Sequence, residues 1–146
     1  MRVYLDSMVW IYAFEGNSPF GAAAQTLFRN LRAAGHTVLV SHFLLAELLV
    51  VPVRNGNSFL VASCKHAMLA YATVELAAFT AETAVAFATL RARHRTPSAD
   101  AIHLSLAATA QADVFVTADT RLQKLVVVPG IGAIVDLAYN LPARRP

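Results

Sequence analysis

The stretch Ser98 to Asp119, SADAIHLSLAATAQADVFVTAD, sets a helix and a strand back to back and puts an acid at each end of the pair. Thr96-Pro97-Ser98 reads as a helix start, with Ser98 placed to cap the free N–H groups of the first turn. The helix then runs from Ala99 to about Gln111, with Asp100 in its first turn. Asp113 to Thr117 is a short β-favouring run that ends in Ala118-Asp119, followed by a short helix through Leu122 and Leu125.

The same alternation extends in both directions. Upstream, Arg2 to Leu5 is a strand ending at Asp6-Ser7, and Thr37 to Val40 is another ending at Ser41. Between them, Ala24, Leu27, Phe28 and Leu31 recur at helical spacing within Gly21 to Ala34, and Gly35 supplies the stop. Phe43 to Val50 predicts a helix broken by Pro52, and Ser58 to Leu69 a further helix after the Asn55-Gly56-Asn57 turn. Ala72 to Leu76 predicts a third strand. A helix follows from Thr80 to Arg91, ending in the basic segment Arg91 to Arg95, and Ile131 to Val135 predicts the last strand. Strands separated by helices require parallel crossovers. The expected fold is therefore α/β: a three-layer α/β/α sandwich around a mostly parallel sheet of four to five strands. One domain over residues 1–141 is expected, with 142–146 a frayed Pro- and Arg-rich tail.

Composition narrows the class. Apolar residues make up 57% of the 146 and charged ones only 14%, which suits a compact core without staples. Val9 to Phe14, the longest nearly apolar stretch near a terminus, is far below the roughly 20 residues that span a bilayer, and no leader precedes it. Cys64 is the single cysteine, so neither an internal disulfide nor a thiolate zinc cluster is available, and a cytoplasmic location is expected. A net charge of +3 is too small to argue for nucleic-acid binding by itself.

The nine acids are more informative by position. Ligands of open α/β sheets bind outside the carboxyl ends of the strands. Asp6 follows the first strand, Glu47 lies one turn into the helix after the second, Asp100 opens a helix, and Asp119 follows the strand after that helix. All four can reach one rim. Each has a plainer reading. Asp6 suits a strand-end turn, Glu47 the wet face of an apolar helix, Asp100 the helix dipole, and Asp119 the cap of the helix beginning at Thr120. Taken jointly they would repel one another in a poorly solvated cleft unless a cation intervened. Hard carboxylate oxygens, with no cysteine pair and no histidine-rich spacing, point to Mg2+ or Mn2+.

Four blocks carry a resemblance that spans nearly the whole chain. They are Val3-Tyr4-Leu5-Asp6-Ser7, Val40-Ser41 through Leu45-Ala46-Glu47-Leu48, Ser98 to Ala107, and Ala112 to Asp119 through Leu122. In order and spacing they resemble the PIN-domain ribonucleases, and within them the VapC-type toxins of toxin–antitoxin pairs. The resemblance implies that Asp6, Glu47, Asp100 and Asp119 form an acidic quartet holding Mg2+ or Mn2+, with Ser7 and Thr117 as supporting hydroxyls. It implies hydrolysis of RNA to 5′-phosphate and 3′-hydroxyl ends, and a small antitoxin whose inserted segment presents Arg to the carboxylates. Many relatives have Asn where this chain has Ala118, which removes a supporting contact, and Asp119 is the family's least constant acid.

Arg91, Arg93, His94 and Arg95 lie just before Asp100 and are candidates for holding RNA phosphates; the plainer reading is a solvated helix end. His103, one turn after Asp100, reads as a packed or surface residue rather than a ligand, and His36, His42 and His66 offer no usable spacing. Trp10 and the phenylalanines read as core or interface, and Val9, Trp10, Ile11, Tyr12 and Phe14 suit a homodimer surface. Two rivals stand beside the nuclease. A phosphohydrolase with an aspartyl nucleophile would show Asp-x-Asp after the first strand, where this chain has Asp6-Ser7-Met8. A PIN-like module that binds RNA or protein without cutting is the other.

Overall fold

The computed structural model describes residues 1–16, 19–69, 73–125 and 127–139. Its elements, in chain order, are β1 (Arg2–Leu5), α1 (Ser7–Glu15), α2 (Pro19–Ala33), β2 (Thr37–Val40), α3 (His42–Arg54), α4 (Ser58–Leu69) and β3 (Val74–Leu76). There follow α5 (Ala81–His94), α6 (Ser98–Thr109), β4 (Ala112–Val116), α7 (Thr120–Gln123) and β5 (Ile131–Val135). The strands form one five-stranded sheet in the order β3-β2-β1-β4-β5. Every pairing is parallel. The expected α/β architecture is thus present, with five strands and no antiparallel edge among the described residues.

Strand pleat divides the core into two layers. Val3 pairs with Val38 on one side and Val114 on the other, and with Leu5, Val40 and Val116 these side chains face α1, α2, α3 and α4. Tyr4 pairs with Leu39 and Phe115 and faces the opposite way, toward Leu90 of α5, Leu104 of α6 and Leu122 of α7. The rings of Tyr4 and Phe115 stack with centroids 5.5 Å apart. Helices therefore cover both faces, as a parallel sheet requires.

Several local expectations are corrected. The sequence reading placed no helix between Asp6 and Gly21, yet Ser7–Glu15 is helical. The segment SMVWIYAFE is apolar on nearly every side, so it shows no helical period. Its Val9 and Trp10 are buried in the core, which removes them from any homodimer surface and leaves Phe14 as the exposed residue of that set. Pro52 does not break α3 but lies inside it, buried. Only one i→i−4 bond is lost there, with a single half-turn remaining before Asn55 ends the helix. Ser98 does not cap α6. Pro97 is the N-cap, its carbonyl accepting from the Ala101 N–H at 2.9 Å, and no side chain caps that end. With the backbone entering from Pro97 at φ −52°, ψ 151°, Ser98 is already the first helical residue.

The remaining boundaries fall close to expectation. Gly35, at φ +62°, ends α2, and the next N–H, that of His36, reaches back to the Leu31 carbonyl at 3.0 Å. Of the strand expected over Ala72 to Leu76, the part seen is Val74–Leu76; Ala72 and the tail 142–146, with the boundary at 141, lie outside the described residues.

Candidate active site

In a sheet ordered β3-β2-β1-β4-β5, the chain leaves β1 toward one edge and returns at β4 to build the other. The crevice between the carboxyl ends of β1 and β4 is therefore the topological switch point, where helices diverge to opposite faces and leave a cleft. Asp6 and Thr117 are the residues that follow those two strands.

Asp6 is 7% exposed and held on both oxygens. Its Oδ1 accepts from the Ser7 N–H at 2.7 Å, so Asp6 caps α1, and the Ser7 hydroxyl is 3.4 Å from the same oxygen. Its Oδ2 accepts from the Thr117 hydroxyl at 2.7 Å. The Asp119 N–H in turn donates to Thr117 Oγ1 at 3.0 Å. Ser7 and Thr117 thus both bring a hydroxyl to the Asp6 carboxylate.

Asp100 stands in the first turn of α6, 22% exposed at its side chain. Burial, and then the negative charges of Asp6 and Asp119, push its carboxyl above the usual range, opposed by Arg121 and His103. Three of the four acids therefore feel one another at this rim. Glu47, on α3, is held differently: its Oε2 is 2.6 Å from Nε2 of His103, and this hydrogen bond depresses its pKa, with burial opposing and the Ser7 hydroxyl assisting. Asp119 caps α7 through the Arg121 N–H at 2.7 Å, fulfilling its plainer reading as well. The Arg121 guanidinium also grips both Asp119 oxygens, at 3.0 Å and 2.5 Å to Oδ2 and 3.1 Å to Oδ1, and lowers its pKa.

Among the described residues, no three His, Cys, Asp or Glu side chains stand in an arrangement able to hold a metal ion as they are. In the structure one Glu47 oxygen meets His103, Asp119 meets Arg121, and Asp6 is hydrogen-bonded by Ser7 and Thr117. The donor chemistry nonetheless fits a hard divalent cation. The oxygens are acceptor-only when ionised, burial and then their mutual repulsion raise Asp100, and one cationic group, Arg121, already lies between Asp119 and Asp100, 4.0 Å from the latter.

The basic segment is rearranged relative to expectation. Arg91 donates to the Thr96 carbonyl at 2.7 Å, tying the α5–α6 connection rather than standing free. Arg93 is exposed on the last turn of α5, and Arg95 follows it at φ +50°. His94 and Arg95 line a groove of about 280 Å³ together with Asp100 and Arg121. Arg121 was not singled out in the sequence, although its place two residues after Asp119, in a helix that acid caps, was a usable signal. His103, which reads in the sequence as a packed or surface residue, is packed. It is 2% exposed and joins Tyr4 to Glu47, a link across 99 and 56 residues that no local spacing displays. His36 is buried under the chain start, with Nδ1 3.4 Å from the Met1 amino group.

Comparison with known proteins bears on the fold and the family. The crystal structure of VapBC2 from Rickettsia felis bound to a DNA fragment from their promoter contains a chain that superposes with a TM-score of 0.73, covering 93% of this chain and 98% of that one at 18% identity, a likeness of fold. No curated protein matches the sequence. The family model described as PIN domain matches residues 3–127, a span that begins at β1 and includes Asp6, Glu47, Asp100 and Asp119, and this chain accordingly belongs to the PIN-domain family.

Proposed function

We propose that the chain is a Mg2+- or Mn2+-dependent ribonuclease and the toxin of a toxin–antitoxin pair. The observation that carries the reading is the gathering of Asp6, Asp100 and Asp119 at the switch point, where burial and then the charges of Asp6 and Asp119 raise the Asp100 pKa, a strain that a cation would relieve. Asp6, Glu47, Asp100 and Asp119 would hold it. The chemistry supplied by such a cation, when bound, is neutralisation of charge on the phosphodiester and acidification of a water.

The chain's own groups do the rest. Thr117 and Ser7 fix the Asp6 carboxylate, and His103 fixes that of Glu47. Arg95, His94 and Arg121, beside Asp100, supply positive charge for RNA phosphates approaching an otherwise repulsive rim, with Arg93 on the adjoining helix end. Arg91 contributes by shaping that connection. An apolar trough lined by Ile11, Phe14, Leu48, Val51 and Leu60 runs up to Glu47 and suits a segment of an antitoxin. The grip of Arg121 on Asp119 illustrates how an antitoxin arginine would engage the acids. Phe14 and the exposed Phe20 would serve a homodimer. No described helix is long and apolar enough to cross a membrane, and a cytoplasmic RNA target completes the reading.

The test is cleavage of a mixed structured RNA by the purified chain with Mg2+, with Mn2+ and with EDTA, alongside Asp6→Asn and Asp100→Asn. Metal-dependent cutting lost in both variants is expected. No cutting under any condition, by a folded protein free of antitoxin, makes it a non-catalytic RNA- or protein-binding module instead.

A further inference from the structure

Behind Glu47 lies a buried polar chain that crosses from one strand to two helices. Ser41 caps α3, its Oγ accepting from the Leu44 N–H at 3.0 Å. The same Oγ is 3.2 Å from the Tyr4 hydroxyl, which is 2.9 Å from Nδ1 of His103, and Nε2 of His103 is 2.6 Å from Oε2 of Glu47. Ser41, Tyr4 and His103 are 1%, 0% and 2% exposed, so bulk solvent does not reach them.

A neutral imidazole facing a carboxylate allows one arrangement of protons along this chain. In it the Ser41 hydroxyl, which accepts the Leu44 N–H, gives its own hydrogen to the Tyr4 oxygen. Tyr4 O–H then donates to Nδ1, which fixes imidazole as the Nε2–H tautomer, and Nε2–H donates to the Glu47 carboxylate. Phe43 and Tyr4 both meet the imidazole edge-on, with centroids 5.2 Å and 5.8 Å away, and hold its plane. The imidazole is thus constrained in rotation, tautomer and reach.

We propose that His103, locked by Tyr4, is a positioning residue that sets the Glu47 carboxylate for divalent-cation binding. The inference rests on the metal-dependent reading above. A carboxylate on a helix otherwise samples several rotamers. Holding one of its oxygens removes that freedom before a cation arrives, which is how outer-shell partners tune a metal site.

The experiment is Mn2+ titration of the full chain followed by electron paramagnetic resonance of free Mn2+, with wild type, Asp6→Asn, His103→Leu, His103→Gln and Tyr4→Phe, each first shown to melt cooperatively without metal. His103→Leu is expected to weaken Mn2+ binding about 10- to 100-fold. His103→Gln, which keeps an N–H donor toward Glu47, recovers most of the loss, and Tyr4→Phe falls between them. Nitrogen-15 shifts of the metal-free wild type report the Nε2–H tautomer of His103, and Tyr4→Phe erodes that preference. If His103→Leu does not fold, Tyr4→Phe and the tautomer decide the matter. Mn2+ binding unchanged in His103→Leu and Tyr4→Phe, or an Nδ1–H tautomer in the wild type, overturns the proposal while leaving the metal reading intact. A wild type that binds no more Mn2+ than Asp6→Asn overturns both.

Discussion

The Thr117 hydroxyl donates to Asp6 Oδ2 at 2.7 Å and accepts the Asp119 N–H at 3.0 Å, so one oxygen ties the end of β4 to the end of β1 and to the start of α7. Thr117→Val keeps the shape and removes both bonds. Because the lost bond is to a buried carboxylate, unfolding free energy is expected to fall by about 1.5–3 kcal/mol in urea titrations. Thr117→Ser, retaining the hydroxyl, is expected to lie near wild type in both stability and RNA cleavage.

Asp100 and Glu47 are shifted in opposite directions and give opposite pH signatures. Glu47 is held below its ordinary value near 4.5 by His103, so it contributes stability above that value and loses it as pH falls through the lowered one. Asp100 is raised above 3.8, so its ionisation opposes folding once pH exceeds the raised value. In EDTA at pH 7, Glu47→Gln is expected to lower the urea midpoint and Asp100→Asn to raise it. Both differences shrink toward zero as the titrations are repeated at pH values below the lowered one of Glu47, where the carboxyls are protonated in either state. A lowered midpoint in Asp100→Asn at pH 7 would contradict the crowding described at the rim.

Arg121 is exposed and grips Asp119, so its removal should act on binding rather than on folding. Arg121→Ala is expected to leave the melting temperature unchanged and let the Asp119 carboxyl rise toward its usual range. RNA binding, measured on an Asp100→Asn background, should weaken alike for all sequences, with the log–log salt slope shallower by about 1.

Gly130, at φ +90°, starts the turn into β5, and a Cβ there would stand 2.4 Å from the Ala108 carbonyl oxygen. Gly130→Ala meets both a forbidden backbone region and a backbone clash. A loss of about 1–3 kcal/mol from strain alone is expected in urea unfolding. Because the Thr117 N–H donates to the Val135 carbonyl of β5 at 3.0 Å, cleavage activity is expected to decline with it.

What could be read from the sequence follows how local its causes are. The strand ending at Asp6 and the strand followed by Thr117 and Asp119 were legible because buried parallel strands are short apolar runs with polar residues at their carboxyl ends. Their adjacency was not legible, because crossover rules give a parallel sheet but not its strand order, and β1 and β4 are neighbours only in the structure. Helix α1 was hidden because Val9, Trp10, Ile11 and Tyr12 give apolarity without period. The cap at Pro97 was misplaced by one residue because serine is the better capping side chain, whereas the backbone conformation decides. His103 and Arg121 escaped for separate reasons. The first acts through partners on β1 and α3, and the second takes its place only once α6 and β4 bring Asp100 and Asp119 together.

Asp6 and Thr117 are separated by 111 residues, and β4 is the strand that must lodge beside β1 for them to meet. Synthesis proceeds from the amino end, so β1, β2 and β3 are made long before β4 exists. A nascent or prematurely terminated chain ending before Ala112 has Asp6 but neither the hydroxyl that holds it nor the Asp119 that crowds the rim. If this protein destroys RNA, then the messenger and ribosome producing it are sheltered by topology until nearly the whole chain has emerged, and an early stop leaves a harmless fragment rather than a weakened poison.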